Sequence, residues 1–245
     1  MATLYAQSTG NWSAITWNTA ANGSGSNQTP AAADTLVSNS YTVTVDANYT
    51  VTKVTNTGGG TFSLANGVTL TCTDATEGVV GDAANVGAVT MSLASPNAAT
   101  LAAKVKGGND ANEYGVALSG TGQITINNTV TGGSFFGSDA TGADGVNISA
   151  AGTLIVNGAV TGGSGSYSRG ITCGLVAATI TVTGNVTGGS GYYYAYGINN
   201  TGPATITVTG TVMGGMGAYA EGIYNAGAAT LTVTGNVMGS SGYAG

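Results

Sequence analysis

The segment ATITVTGNVTGG at residues 178–189 recurs as ATITVTGTVMGG at residues 204–215 and as ATLTVTGNVMGS at residues 229–240. Another copy, GTLIVNGAVTGG, occupies residues 152–163, and a more divergent one, GQITINNTVTGG, occupies residues 122–133. The four clear copies begin 26, 26 and 25 residues apart. A constant period of this size is typical of a solenoid, in which each repeat stacks on the next.

Apolar and polar residues alternate within each copy, which is the pattern of a β-strand with one buried face. Equivalent positions keep one kind of apolar side chain, as expected when successive coils place equivalent residues above one another. We therefore predict three inward-facing columns: Ile124, Leu154, Ile180, Ile206 and Leu231; Ile126, Val156, Val182, Val208 and Val233; and Val130, Val160, Val186, Val212 and Val237.

Each copy ends in a Gly-Gly or Gly-Ser pair, where we expect the chain to turn through positive φ at no cost from a Cβ. A second short strand is predicted after each corner, at a Gly followed by Val or Ile: Gly115-Val116, Gly145-Val146, Gly170-Ile171, Gly197-Ile198 and Gly222-Ile223. The number of residues between corner and second strand varies, which indicates loops that project from one edge of the solenoid.

The predicted fold class is all-β, a parallel β-helix or β-solenoid with coils of about 26 residues. Residues 1–67 lie outside this register and are predicted to form a distinct β-rich N-terminal cap or attachment region, because the open end of a solenoid leaves backbone groups unpaired. Residues 68–100 are a transition, and residues 101–245 hold the solenoid repeats. The last repeat has no cap, so we expect the chain or a stacked partner to continue beyond it.

The composition disfavours several classes of function. The chain has four basic and ten acidic side chains, too few positive charges to neutralise a row of phosphates, so we expect no nucleic-acid binding. No apolar run approaches the roughly 20 residues of a membrane span, so no membrane insertion is expected. The chain contains no His, which removes the usual base of a Ser or Cys triad and the commonest metal ligand. We predict no catalytic residues, metal or cofactor.

Two weaker chemical signals were weighed. The carboxyl pairs Asp139 with Asp144, and Asp110 with Glu113, fit the spacing of glycosidase acids, but solvated loop charges explain them equally simply. Cys72 and Cys173 show no repeat relation, so no disulfide is inferred and both are predicted to be small, buried thiols.

The N-terminal segment contains GNWSAITWN at residues 10–18, TPAAADTL at residues 29–36 and YTVTVDANYTVTKVTNTGGGTFSLANGVTLT at residues 41–71. It resembles the N-terminal parts of repetitive proteins of tailed bacteriophages, where this region leads into β-helical tail fibre or tailspike shafts; secreted bacterial adhesins share the pattern. The resemblance implies a virion appendage, with an extracellular or cell-surface location as the alternative. Tailspikes that cleave polysaccharide place acidic residues in a groove, and these repeats depart from that pattern. Residues 1–10 show no secretory signal, which fits a virion protein released by lysis or a signal already removed.

Tyrosines form the most informative polar series. Tyr167, Tyr193 and Tyr219 occur at 26-residue intervals after the Gly-Gly corners, which predicts a ladder along the loop edge. Further aromatic residues enlarge this strip: Tyr192, Tyr194, Tyr196 and Tyr224, with Phe135 and Phe136 in earlier coils. Two interpretations stay open, a structural ladder stabilised by ring stacking and a surface that binds a sugar or a protein.

A second polar series is the outward-facing Thr residues: Thr179, Thr181 and Thr183; Thr205, Thr207 and Thr209; and Thr230, Thr232 and Thr234. Such TxT arrays resemble the ice-binding faces of some antifreeze solenoids, although Thr is also simply a polar residue that favours strands.

These observations favour a structural virion appendage or surface fibre, such as a tail fibre, spike shaft or adhesin. We expect a homo-oligomer with other virion or surface proteins as partners and a host glycan bound through the Tyr-rich loops. The alternatives are an ice-binding solenoid and a polysaccharide-degrading tailspike.

Overall fold

The structure is a computed structural model that describes residues 1–81, 87–91, 93–109, 114–134 and 142–240. Within these residues every regular element is a β-strand, and the chain winds as a parallel β-solenoid. The predicted fold class is thereby confirmed. Each regular coil passes in turn through three sheets, here numbered 1 to 3 in chain order.

The three sheets run along the solenoid axis. Sheet 1 has eleven strands: Trp17–Asn18, Thr3–Ala6, Thr35–Val37, Lys53–Thr55, Val79–Val80, Val105–Lys106, Val130–Thr131, Val160–Thr161, Val186–Thr187, Val212–Met213 and Val237–Met238. Sheet 2 has six: Gly87–Met91, Tyr114–Leu118, Val146–Ile148, Ile171–Cys173, Ile198–Asn200 and Ile223–Asn225. Sheet 3 has eight: Tyr49–Val51, Thr69–Cys72, Ala98–Ala102, Gln123–Ile126, Thr153–Val156, Thr179–Val182, Thr205–Val208 and Thr230–Val233.

Two smaller sheets complete the strands. A three-stranded sheet takes the place of sheet 2 in the first coils: Gly10–Asn11, Thr42–Val45 and Thr61–Leu64. A two-stranded sheet lies in the projecting loops and consists of Ser164–Tyr167 and Ser190–Tyr194. At about 4.8 Å per strand, the eleven strands of sheet 1 extend over about 48 Å.

The predicted inward columns are confirmed by the strand register. Leu154 pairs with Ile180, Ile180 with Ile206, and Ile206 with Leu231, all in sheet 3. The column that contains Val182 pairs in the same way. Because each apolar side chain lies on its counterpart in the next coil, burial is almost complete in the middle of the stack, where Ile180 is 1% and Val182 0% exposed.

The third predicted column belongs to a different sheet from the other two. A turn at residues 183–185 divides each repeat into two strands, so Val186 and its equivalents lie in sheet 1 and the other columns in sheet 3. Period-2 alternation alone does not reveal this bend, because the polar turn residues continue the same pattern. Val237, the last member, is 51% exposed because no described strand pairs beyond it.

The N-terminal strands are continuous with the repeats. Thr3–Ala6 pairs in parallel with Thr35–Val37, which pairs with Lys53–Thr55, so sheet 1 crosses residue 67 without interruption. The coil from Leu36 to its partner Val54 has only 18 residues, which explains why a 26-residue period does not detect it. The strands between residues 68 and 100 also occupy regular places in the three sheets.

The N-terminal edge of sheet 1 is covered by a strand of the opposite direction. Trp17–Asn18 pairs antiparallel with Thr3–Ala6. Trp12 and Trp17 are buried, with Trp12 stacked on Tyr49 at 4.4 Å and Trp17 on Phe62 at 6.3 Å between ring centroids. These rings close the end of the apolar core.

Both cysteines are buried and free, as predicted. Burial disfavours the thiolate and raises the pKa of Cys72 to about 12, and it raises the pKa of Cys173 as well. Neither thiol has the lowered pKa of a reactive nucleophile.

Candidate functional site

The loops between sheet 1 and sheet 2 carry most of the tyrosines. Ser164–Tyr167 and Ser190–Tyr194 pair in parallel there, and bridges at Ser190 with Met216 and at Tyr194 with Tyr219 extend the pairing into the next coil. This layer repeats with the coils but adds nothing to the apolar columns. Its side chains are therefore available for a role other than core packing.

The tyrosine ladder exists, but its predicted middle member was wrong. A register shift between Gly165 and Tyr167 pairs Tyr167 with Tyr194 instead of Tyr193. Tyr194 stacks on Tyr167 at 5.3 Å with 16° between the ring planes, and on Tyr219 at 5.0 Å with 18°. Tyr193 lies 6.4 Å from Tyr167 with its ring tilted by 40°. The continuous ladder is Tyr167, Tyr194 and Tyr219.

A second column faces this ladder. Arg169, Tyr196 and Glu221 each precede the Gly that opens a strand of sheet 2, and the backbone amide of each such Gly donates to the carbonyl oxygen of the residue one coil further on, as Gly170 does to Tyr196 at 3.0 Å. Tyr196 also stacks on Tyr224 at 5.3 Å with 9° between the planes. Tyr194 contacts Tyr196 at 5.4 Å, so the two walls meet at the base.

Together the two columns enclose an open groove of about 440 Å³, here called the aromatic groove. Its lining comprises six residues: Tyr167, Arg169, Tyr194, Tyr196, Tyr219 and Tyr224. Tyr196 is buried, whereas Tyr219 is 55% and Tyr224 40% exposed. Near-parallel rings about 5 Å apart are offset, and an offset stack leaves ring edges and hydroxyl groups available to a ligand.

Arg169 is held in place by a buried carboxylate. Asp144 is 0% exposed, and its Oδ1 accepts hydrogen bonds from the backbone N–H and the Nε–H of Arg169, both at 3.0 Å. The other carboxylate oxygen, Oδ2, has no partner. The guanidinium carbon lies 5.7 Å from the centre of the Tyr167 ring. Such pairing offsets the cost of burying Asp144 and leaves the two Nη groups of Arg169 without a partner among the described residues.

The electrostatics of the groove keep its base tyrosine neutral. Burial raises the pKa of Tyr196 to about 12, and the carboxylate of Glu221 raises it further by disfavouring a second negative charge nearby. The Tyr196 hydroxyl therefore remains a hydrogen-bond donor across the physiological pH range.

The remaining predicted residues have separate fates. Tyr192 and Tyr193 contact each other edge to face at 4.8 Å but do not line the groove. Asp144 has the structural contacts given above. The other calls fall outside the described residues: Phe135, Phe136, Asp110, Glu113 and Asp139.

Arg169 was missed by the sequence reasoning, although a signal existed. Counting forward from the Gly-Gly corner aligns Tyr167 with Tyr193, but the spacing between Gly170 and Gly197 is 27 residues. Counting back from these glycines places Tyr167, Tyr194 and Tyr219 three residues before them and Arg169 and Tyr196 one residue before them. The strand that follows the loop thus sets the register of the groove.

The Thr face of sheet 3 forms a second ordered surface. Thr179, Thr205 and Thr230 are paired in one column, and Thr181, Thr207 and Thr232 in the next. The hydroxyls of these six residues make no hydrogen bond within the described part of the chain. The third column differs, since the Thr209 hydroxyl donates to the Thr183 carbonyl at 2.9 Å and the Thr234 hydroxyl to the Thr209 carbonyl at 2.8 Å.

Other surfaces offer less chemistry. The described ranges contain no group of three or more acidic, Cys or His side chains arranged to hold a metal ion. No helix within those ranges is long and apolar enough to cross a membrane.

Comparison with known proteins leaves the aromatic groove as the main guide to function. No family model matches the chain, and no curated protein or solved structure shows significant similarity to it.

Proposed function

We propose that this protein is a structural segment of a virion appendage or surface fibre, such as a tail fibre, spike shaft or adhesin, and that the aromatic groove attaches it to a glycan. The observation that carries the proposal is the groove itself, a periodic array of tyrosines on projecting loops outside the apolar core. Solenoids use such surfaces for binding because the stacked coils hold the loops rigidly.

The lining suits a sugar better than a protein hot spot. Tyr hydroxyls both donate and accept hydrogen bonds, and ring edges pack against the C–H groups of a sugar ring. The groove is open and shallow-walled, with Tyr219 and Tyr224 reachable from solvent. The partners in this proposal are a host-surface glycan, other virion or surface proteins and further copies of the chain.

Residues 1–67 serve as the attachment region in this proposal. They carry the buried Trp12 and Trp17 and the antiparallel strand at the edge of sheet 1. A division between an anchoring end and a binding edge fits a fibre whose shaft separates the two.

The proposal is tested by binding to immobilised glycans and to cells, with Tyr194→Ser compared with Tyr193→Ser. Tyr194 contacts three rings of the groove, whereas Tyr193 lies outside the lining. We expect Tyr194→Ser to lose binding and Tyr193→Ser to keep it. Equal binding by both variants, or no binding by the native chain, contradicts glycan attachment, and electron micrographs with labelled antibody check the location on a virion or surface.

The fibre proposal includes no catalytic turnover. Asp144, one of the carboxyls considered as a glycosidase acid, is fully buried and bonded to Arg169, so it cannot reach a sugar at the surface. A polysaccharide-degrading tailspike is the competing function, and incubation with capsule polysaccharide distinguishes the two. New reducing ends would show that the chain is an enzyme.

Ice binding is a second candidate function, favoured by the two free columns on the Thr face. Their hydroxyls are repeated about 4.8 Å apart between coils and about 6.6 Å apart along each strand, and they are not committed to other protein groups. An ice recrystallisation assay with Thr207→Lys as the variant tests this function. Inhibition by the native chain and its loss in the variant would support it, and no inhibition would exclude it.

A further inference from the structure

We infer that the ligand of the aromatic groove is a linear acidic saccharide that lies along the solenoid axis, with its carboxylate or sulfate group on Arg169. This inference rests on the glycan binding proposed above. It adds the direction of the ligand, the charge of the ligand and the residue that recognises that charge.

The axial direction follows from how the coils line the groove. One coil contributes Tyr167 and Arg169, the next contributes Tyr194 and Tyr196, and the third contributes Tyr219 and Tyr224. Successive stacked rings lie 5.0 to 5.3 Å apart. This repeat is close to the length of one hexose unit in an extended chain, so each sugar meets an equivalent pair of side chains in its own coil.

The acidic character follows from the chemistry of Arg169. It is the sole basic side chain between residue 107 and the end of the sequence, and it lies in the groove. Asp144 uses only the Nε side of the guanidinium, which leaves the two Nη groups as a planar fork of donors. A fork of this kind matches the paired oxygens of a carboxylate or sulfate.

The buried carboxylate argues that the position of the guanidinium matters. Asp144 is 0% exposed and leaves Oδ2 unsatisfied, an arrangement that costs free energy relative to an apolar pair. The bond to Nε and to the backbone N–H of the same residue fixes both ends of the Arg169 side chain. Asp144 is therefore a positioning residue.

The far end of the groove has the opposite charge. Glu221 follows Tyr196 in the same column, close enough for its carboxylate to raise the pKa of the Tyr196 hydroxyl. An anionic group is repelled there and attracted at Arg169, so the saccharide is oriented with its acidic sugar in the coil of Arg169.

An array of linear glycans tests the inference, using chains that contain uronic acid, sialic acid or sulfate beside neutral counterparts of the same linkage. The native chain should bind acidic members at least about tenfold more tightly than neutral ones, as expected for a charge-assisted fork. Arg169→Gln should abolish that preference while neutral binding through the tyrosines persists. Lys104→Gln, which removes one positive charge elsewhere, should leave the preference unchanged.

Arg169→Lys separates recognition from structural support. Lysine keeps the charge opposite Asp144 but lacks the planar fork. We expect it to retain the melting temperature better than Arg169→Gln and still to lose most of the acidic preference. Comparison of carboxylated with sulfated glycans then identifies the group that Arg169 binds.

The length of the ligand provides a second readout. Affinity should rise from mono- to trisaccharide, because three coils line the groove, and then level off. Equal affinity for acidic and neutral glycans, an Arg169→Gln variant that keeps the acidic preference, or a monosaccharide bound as tightly as a trisaccharide each overturns the inference but leaves the glycan-binding function standing. Absence of binding to every glycan overturns both.

Discussion

The corner glycines are required by the distance between coils. A methyl group at Gly189 would overlap the carbonyl oxygen of Gly163 one coil below, and one at Gly215 would overlap that of Gly189. The expectation that these corners need positive φ was wrong, because the positive-φ glycines of the described chain lie elsewhere. Close backbone approach explains the repeated Gly-Gly pair instead.

Replacing one corner glycine should therefore disturb the stack. We expect Gly189→Ala to lower the free energy of unfolding by about 1 to 3 kcal/mol, the usual cost of overpacking. Gly174→Ala is the matched control, because a Cβ there meets only the Ile148 carbonyl at 3.5 Å. Urea unfolding measures both, and equal midpoints would show that the coils can separate to admit a methyl group.

Glu77 links two strands of sheet 1 through lysines. It bonds Lys53 at 2.8 Å and Lys106 at 2.5 Å, and these two positive charges hold the pKa of Glu77 below its ordinary value of 4.5. A lowered pKa in the folded state means that the stabilisation is present above the unfolded pKa and is lost as pH falls through the folded one.

The melting temperature should fall as the pH is lowered below about 4.5, and part of that fall should disappear in Glu77→Gln. The effect at pH 7 should be no more than about 1 kcal/mol, because all three side chains are partly exposed. Glu221→Gln, a carboxyl without an ion pair in the described chain, is the control. The same acid dependence in native and Glu77→Gln protein would contradict this role of Glu77.

The strands are stabilised by columns that repeat from coil to coil. Val182 is fully buried between Val156 and Val208, and Thr179 in the same strand faces solvent. Introducing a carboxylate at these two positions compares the buried with the exposed face of one strand.

We expect Val182→Asp to destabilise the protein by about 3 to 5 kcal/mol, because the carboxylate would be buried without a partner. Thr179→Asp should change stability by less than about 0.5 kcal/mol, as surface substitutions usually do. Chemical denaturation followed by circular dichroism provides both values. Similar midpoints for the two variants would place the core on the wrong face of sheet 3.

The elements differ in how well the sequence predicts them. The columns from Ile124 onward were predictable because equal coils repeat the same residue types. The 18-residue coil between Leu36 and Val54 was not, since a shorter coil breaks the period while the strands still pair. The place of Tyr194 depends on a bulge, and a bulge adds one residue without changing the composition of the loop.

The chemistry of the groove was harder to predict than its existence. Tyrosines at a regular spacing indicated an aromatic edge, whereas the Asp144 and Arg169 pair joins two residues in different coils that share no repeat pattern. Contacts between unlike residues of neighbouring coils depend on the exact offset of each loop. They become visible only when the register is known.

At the scale of the whole molecule, a solenoid behaves as a row of coils in which each coil is stabilised by its neighbours. The groove lies more than 100 residues after the covered edge of sheet 1, and it shares no side chain with the Trp12 and Trp17 cluster. The two ends should therefore respond separately to mutation.

Deletion of residues 1–34 tests this independence. The deletion removes Trp12, Trp17 and the antiparallel strand, and it leaves Thr35–Val37 as an unpaired edge of sheet 1. Open edges pair with other chains, so sedimentation should show concentration-dependent association that the full chain lacks or shows less. Glycan binding per folded chain should stay within about twofold, because the coils of the groove keep their own neighbours on both sides. A truncated chain that sediments like the full one would show that the N-terminal strand is not an edge cover, and a loss of binding would show that the solenoid acts as a single cooperative unit.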